Sequence, residues 1–168
     1  MTAKDAMAEL VAAVDTSVLI GYLTPDERED AATALMLGLL SGGARLVAPE
    51  WMWVEVGSVL RKKEQRHLLT AAEAEGAWRD FLTLPFEPVA GQALAERAWE
   101  LARRYDLPTL YDAAWLASVE ICGDSGGGTA AEFWTADRAL LRALGSPRPP
   151  YVRELAARED PGRGDGAT

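Results

Sequence analysis

The chain has 168 residues, 49% hydrophobic and 26% charged, with a formal net charge of -9; such a chain suits one compact domain that buries about two thirds of its unfolded surface. The acidic balance argues against a broad basic surface gripping nucleic acid through many phosphates, but not against nucleic acid as the substrate of an acidic, cation-loaded site, and it suits a basic protein partner. A lone cysteine, Cys122, excludes an internal disulfide, no Cys/His pair has zinc spacing, and the apolar runs are too short to span a bilayer; the opening "MTAKDAMAEL" suits no leader peptide, so the chain reads as soluble and cytoplasmic.

In chain order, "LVAAVDTSVLIGYL" (residues 10–23) is an apolar run with a single charge, Asp15. A carboxylate inside such a run is costly unless paired, which places Asp15 where a strand ends and the chain opens outward. Thr24 and Pro25 ahead of "DERED" predict a helix start, with the helix running to about Leu40 and stopping at Gly42-Gly43. "ARLVAP" predicts a short strand ending at Pro49, and "EWMWVEVGSVLRKKEQ" a helix with Trp51, Val54 and Val59 among its buried positions. Thr70 and Glu73 form a capping box for a helix to about Leu82; "FEPVA" is a brief extended segment and "QALAERAWELARRYD" an amphipathic helix. Pro108 and Thr109 precede a helix over "LYDAAWLASVEI", with Asp112 near its start. After a glycine-rich loop, "GDSGGGTA", come a buried strand "AEFWTA", a short helix "DRALLRAL" and a final strand or turn "PYVREL". Residues 1–10 read as an extension, 11–157 as the domain, and 158–168 as a disordered tail. Strands alternating with helices predict an α/β fold with a mainly parallel sheet, whose sites lie beyond the carboxyl ends of its strands.

Four carboxylates recur at element junctions: Asp15 after the first strand, Glu55 on the helix after "LVAP", Asp112 in "LYDAAWLA", and Asp137 after "FWTA". Each alone passes for a cap or a helix former. Together they fall where a parallel sheet gathers its strand ends, and there, without a counter-charge, each close pair repels by roughly 4 kcal/mol at 4 Å and an effective dielectric near 20. Carboxylate oxygens with no His or Cys nearby suit Mg2+ or Mn2+, and such an ion suits phosphodiester hydrolysis. Ser17 and Thr135 could orient a carboxylate, a water or a phosphate, or could simply cap the helices that follow.

The set "VDTSVLIGYL", "APEWMWVEVGSVL", "LYDAAWLASVE" and "FWTADRALLRAL", in this order over about residues 11–155, resembles the PIN-domain family, and within it the VapC-type toxin ribonucleases of toxin-antitoxin pairs. The resemblance implies a three-layer α/β/α sandwich and a magnesium- or manganese-dependent endoribonuclease. It implies Asp15, Asp112 and Asp137 as metal ligands, and Glu55 as the residue that holds or deprotonates the attacking water. It also implies a homodimer and a small antitoxin whose basic, apolar tail enters the acidic groove. The glycine-rich loop, longer than the connection usual before the "TADR" strand, and the tail depart from the family's pattern.

The remaining features favour structural roles. "RKKEQRH" (residues 61–67) suits the negative end of a helix dipole better than phosphate contact, and His67 within it reads as surface. Most of the tryptophans read as core; Trp53 reads as exposed and suited to a protein interface. Two other functions fit parts of the pattern: a PIN-like RNA- or protein-binding scaffold without turnover, and a phosphatase of the haloacid dehalogenase type. The latter needs a second Asp two residues after the first, where this chain has Ser17.

Overall fold

The computed structural model describes residues 10–123 and 130–155. Among these, five strands form one sheet: β1 (Val11–Val14), β2 (Arg45–Pro49), β3 (Glu87–Val89), β4 (Ala131–Thr135) and β5 (Val152–Glu154), in the spatial order β3-β2-β1-β4-β5. Every pairing is parallel, and Val11 of the central strand stands opposite both Arg45 and Ala131. Seven helices connect them: α1 (Thr16–Leu23), α2 (Asp30–Ser41), α3 (Met52–Gln65), α4 (Ala71–Thr83), α5 (Gln92–Arg104), α6 (Leu110–Gly123) and α7 (Arg138–Ala143).

The central strand "VAAV" is buried along its whole length, as a strand covered on both faces requires. Right-handed crossovers put α1–α4, which lead from β1 through β2 to β3, on one face of the sheet, and α5–α7 on the other. Packing agrees: α6 lies across β2, β1 and β4 with α5 outside it, whereas α1 packs with α2 and α3, and α3 with α4. The result is the expected three-layer α/β/α sandwich. The chain reverses its direction of travel across the sheet between β1 and β4, so the carboxyl ends of those two strands border a crevice.

Two local expectations are corrected. No helix starts at Thr24. Instead α1 begins directly after Asp15 and α2 at Asp30, and Thr24 ends α1, its Oγ1 donating to the Ile20 carbonyl at 3.0 Å. The segment "TSVLIGYL" hid its helix because it is buried nearly all round, Thr16 and residues 18–21 included, so no polar stripe marks a period of 3.6. On α3 the buried apolar residues are Met52, Val56 and Leu60, while Trp51 and Val59 are half-buried and Val54 is exposed. Apolar residues occur on more than one side of that helix, and packing selected a neighbouring stripe. Gly57 helps fix the choice, since a Cβ there would come within 3.2 Å of the Trp78 ring on α4.

The capping box is as expected: the Glu73 amide donates to Thr70 Oγ1 at 3.2 Å and the Thr70 amide to Glu73 Oε2 at 2.8 Å. The expected strands at "ARLVAP" and "AEFWTA" are β2 and β4, and "PYVREL" contributes β5. Nearly all of the N-terminal extension and the glycine-rich loop, and the whole tail from residue 158, lie outside the described residues. Among the described residues no helix is long and apolar enough to cross a membrane.

Phe133, fully buried on β4 between the helical layers, anchors the strand that carries one wall of the crevice. Phe133→Ala should lower the unfolding free energy by about 3 to 5 kcal/mol, read from the urea midpoint and slope of the purified protein.

Candidate active site

Asp15 is the first residue beyond β1 and the N-cap of α1. Its Oδ1 accepts from the Ser17 amide at 2.5 Å, and its Oδ2 accepts from the Thr135 hydroxyl at the end of β4. The Thr135 hydroxyl in turn accepts from the Asp137 amide at 3.0 Å, and Ser17 Oγ accepts from the Ala136 amide at 3.1 Å. Asp137 caps α7 through its Oδ1, which accepts from the Ala139 and Leu140 amides. The adjoining ends of β1 and β4 are thus laced together by side chains from both. Ser17 and Thr135 do not cap helices with their hydroxyls; they hold the two acidic turns against each other.

A cavity of about 230 Å3 opens there. Asp15, Glu55, Asp112 and Asp137 all line it, with Thr16, Ser17 and Trp115. Glu55 comes from the first turn of α3 and Asp112 from the first turn of α6, so helices from opposite faces of the sheet converge on one strand edge. A larger groove of about 710 Å3 between α3 and α4, bordered by Trp53, Val54 and Trp78, has a mainly apolar lining. Chemistry, rather than size, selects the smaller cavity.

The electrostatics are those of like charges held together. Burial raises the Asp15 carboxyl above its ordinary range; the Thr135 and Ser17 hydrogen bonds offset part of this, and Asp137 adds to it. Burial also raises Glu55, with Asp15 and Asp112 pushing in the same direction and the polar groups of Thr16 and Trp115 easing it. Asp112 is pushed up to about 6, by burial first and then by Asp15 and Asp137. Glu55 Oε2 and Thr16 Oγ1 are buried with no close hydrogen-bond partner among the described residues, so hydrogen-bonding capacity is left over at the cavity.

The donor set is all oxygen, mutually repelling and partly unpartnered, and it fits a hard divalent cation. Among the described residues no three His, Cys, Asp or Glu side chains stand close enough together to form a ready-made cage. Carboxylates that share a cavity with room for water suit an ion that keeps several waters of its own.

Two residues escaped the sequence, one lining this cavity and the other paired with it. Glu27, one of the "DERED" acids that read as solvated charge, lines it, and Lys63, from the basic cluster, is buried in an ion pair with Glu27 and Asp26. The spacing of Glu55, Val59 and Lys63, four residues apart on one helix, was the available signal. Arg61 of the same cluster pairs with Glu64, and His67 is exposed on the turn after α3. Trp53 is exposed, as expected, and so is Trp99.

Because folding raises the Asp112 pKa from 3.8 to about 6, the folded state binds this proton more tightly than the unfolded chain. The stability it contributes is therefore present in acid and lost as pH rises across that window. The metal-free protein should melt at a lower temperature at pH 7 than at pH 5. Asp112→Asn should flatten that dependence and raise the melting temperature at pH 7, both read by scanning calorimetry in chelator.

A search of curated proteins finds no match. Among solved structures the chain is similar to a chain of VapBC2 from Rickettsia felis, crystallised bound to a DNA fragment from its promoter. The identity is 11%, the TM-score 0.60, and the match covers 87% of this chain and 99% of that one. It is also similar to PAE2754 from Pyrobaculum aerophilum, at 22% identity and a TM-score of 0.55, over 89% of this chain and 92% of that one. Both likenesses bear on the fold. The sequence itself matches the PIN domain over residues 12–143, which include all four acids, and the chain belongs to the PIN-domain family, whose members are generally nucleases.

Proposed function

We propose that this protein is a divalent-metal-dependent endoribonuclease, the toxin of a toxin-antitoxin pair. The observation that carries the reading is the single cavity at the β1/β4 crevice that Asp15, Glu55, Asp112 and Asp137 line together, where burial and neighbouring carboxylates raise the proton affinity of Asp15, Glu55 and Asp112. So much like charge in one place is unfavourable unless function requires it. The similarity to a chain of a VapBC complex supports the toxin reading and an antitoxin partner; a basic tail on that antitoxin, a homodimer and a cytoplasmic setting are part of the same proposal.

In this reading Asp15, Asp112 and Asp137 hold Mg2+ or Mn2+. Such an ion, when bound, supplies positive charge against the phosphoryl oxygens and makes water more acidic. The chain's own residues do the rest. Thr135 and the Ser17 amide fix the Asp15 carboxylate in one orientation, so that its geometry is set before substrate arrives. Glu55, with one oxygen unpartnered and its proton affinity raised by burial, is suited to take the proton of the attacking water. Trp115, buried behind the acids, helps exclude bulk solvent from that side.

The test is calorimetric titration of Mn2+ into the wild type and Asp112→Asn, with cleavage of a mixed RNA pool followed in the same samples. The wild type should bind Mn2+ and cut RNA. Asp112→Asn, and separately Asp15→Asn, should lose binding and slow cleavage on the order of a thousandfold. Full activity in either variant overturns the site. Metal and RNA binding without any cleavage by the wild type would make the protein a scaffold instead.

A further inference from the structure

Lys63 is 5% exposed, although it belongs to the one dense basic cluster in the sequence. Its Nζ donates to Asp26 Oδ2 and to Glu27 Oε1, each at 2.5 Å. Both acceptors lie in the segment between α1 and α2, so one ammonium joins α3 to the stretch of chain that follows the helix capped by Asp15. Glu55, Val59 and Lys63 share a face of α3, and Glu55, Val59 and Glu27 all line the acid cavity. Lys63 therefore stands about 12 Å beyond Glu55 along the helix, joined to the cavity's lining through its ion pair with Glu27. Burial alone would lower the proton affinity of its ammonium, and the two carboxylates more than reverse this, so the cation stays charged.

An ion pair between exposed side chains contributes little. Here the cation is desolvated, and its removal would leave Asp26 and Glu27 facing each other beside an already acidic cavity. Glu27 itself is more than half exposed and stands where a polyanion would approach.

We propose that Lys63 is a positioning residue of this site, holding the segment between α1 and α2 against α3 and keeping Glu27 charge-neutralised at the rim, so that a phosphodiester strand enters without meeting two further uncompensated carboxylates. The proposal rests on the ribonuclease reading. Lys63 is buried and does not line the cavity, so it does not reach the reacting atoms. Its effect falls on capture of the RNA, and bound RNA reacts as before.

The test is steady-state cleavage of one RNA oligonucleotide, the member of the mixed pool that the wild type cuts fastest, at low and high salt. Lys63→Met should raise KM about tenfold at low salt with kcat changed less than about twofold, and the gap should narrow at high salt as the rim charges are screened. Lys63→Arg should stay near the wild-type KM. The triple variant Asp26→Asn, Glu27→Gln, Lys63→Met, which removes the cation and both anions together, should recover most of the loss. Glu27→Gln alone changes an exposed side chain, keeps the protein folded, and should lower KM. A kcat loss as large as the KM rise in Lys63→Met, no recovery in the triple variant, or a raised KM in Glu27→Gln would overturn the positioning role while leaving the ribonuclease reading in place. A wild type that neither binds nor cuts RNA with Mn2+ present would overturn both.

Discussion

The hydrogen bond from the Thr135 hydroxyl to Asp15 is the contact on which the rest of the site depends. A parallel sheet brings β1 and β4 side by side, but backbone pairing alone ends where the strands end. Beyond that line the chains diverge into α1 and α7. The Asp15–Thr135 contact, with the Ser17–Ala136 and Thr135–Asp137 bonds beside it, carries the pairing one step further, through side chains. It satisfies a buried carboxylate, which caps α1 through the Ser17 amide, and fixes the floor of the cavity at once. A charged group that meets three structural needs is held in place more firmly than any one of them would require.

That floor explains why the neighbouring acids can be tolerated. Asp112 and Glu55 arrive from α6 and α3, long helices anchored by buried faces that do not depend on the acids themselves: Ala113 to Val119 on α6, and Met52, Val56 and Leu60 on α3. Hydrophobic packing outside the cavity outweighs repulsion inside it, and the fold holds charges together that would separate in a looser frame. Such a site is a local weakness maintained by the stability of its surroundings, a common relation between function and fold.

How much of this was legible depends on whether a residue broke its local pattern. Asp15 stood out because it was the one charge in a long apolar run, and a buried charge needs a reason. The alternation of strand and helix gave the parallel sheet, and so the edge at which Asp15 and Asp137 meet. The helix α1 was hidden because it is buried all round and lacks a polar stripe. The buried stripe of α3 was misplaced by one or two positions because several tryptophans and valines surround it, and the α4 neighbour at Gly57 helps decide among them. Lys63 and Glu27 were concealed for the opposite reason to Asp15: each sits in a run of like residues, where solvent is the default partner, and only the tertiary fold buries Lys63 and pairs it with Glu27. Pairings of that kind, 36 and 37 residues apart, leave no local trace.

The outer strand β3 bears on self-association. The Glu50 amide donates to the Val89 carbonyl, so Val89, and Glu87 by alternation, point their backbone groups toward β2, while Pro88 between them turns toward the open edge. Proline has no amide hydrogen, and β3 is only three residues long. A strand from another molecule laid along this side would find a single carbonyl and no donor, too little to extend the sheet. Growth of the sheet into fibres is opposed at that margin, and association on this side of the molecule falls to side chains rather than to backbone pairing.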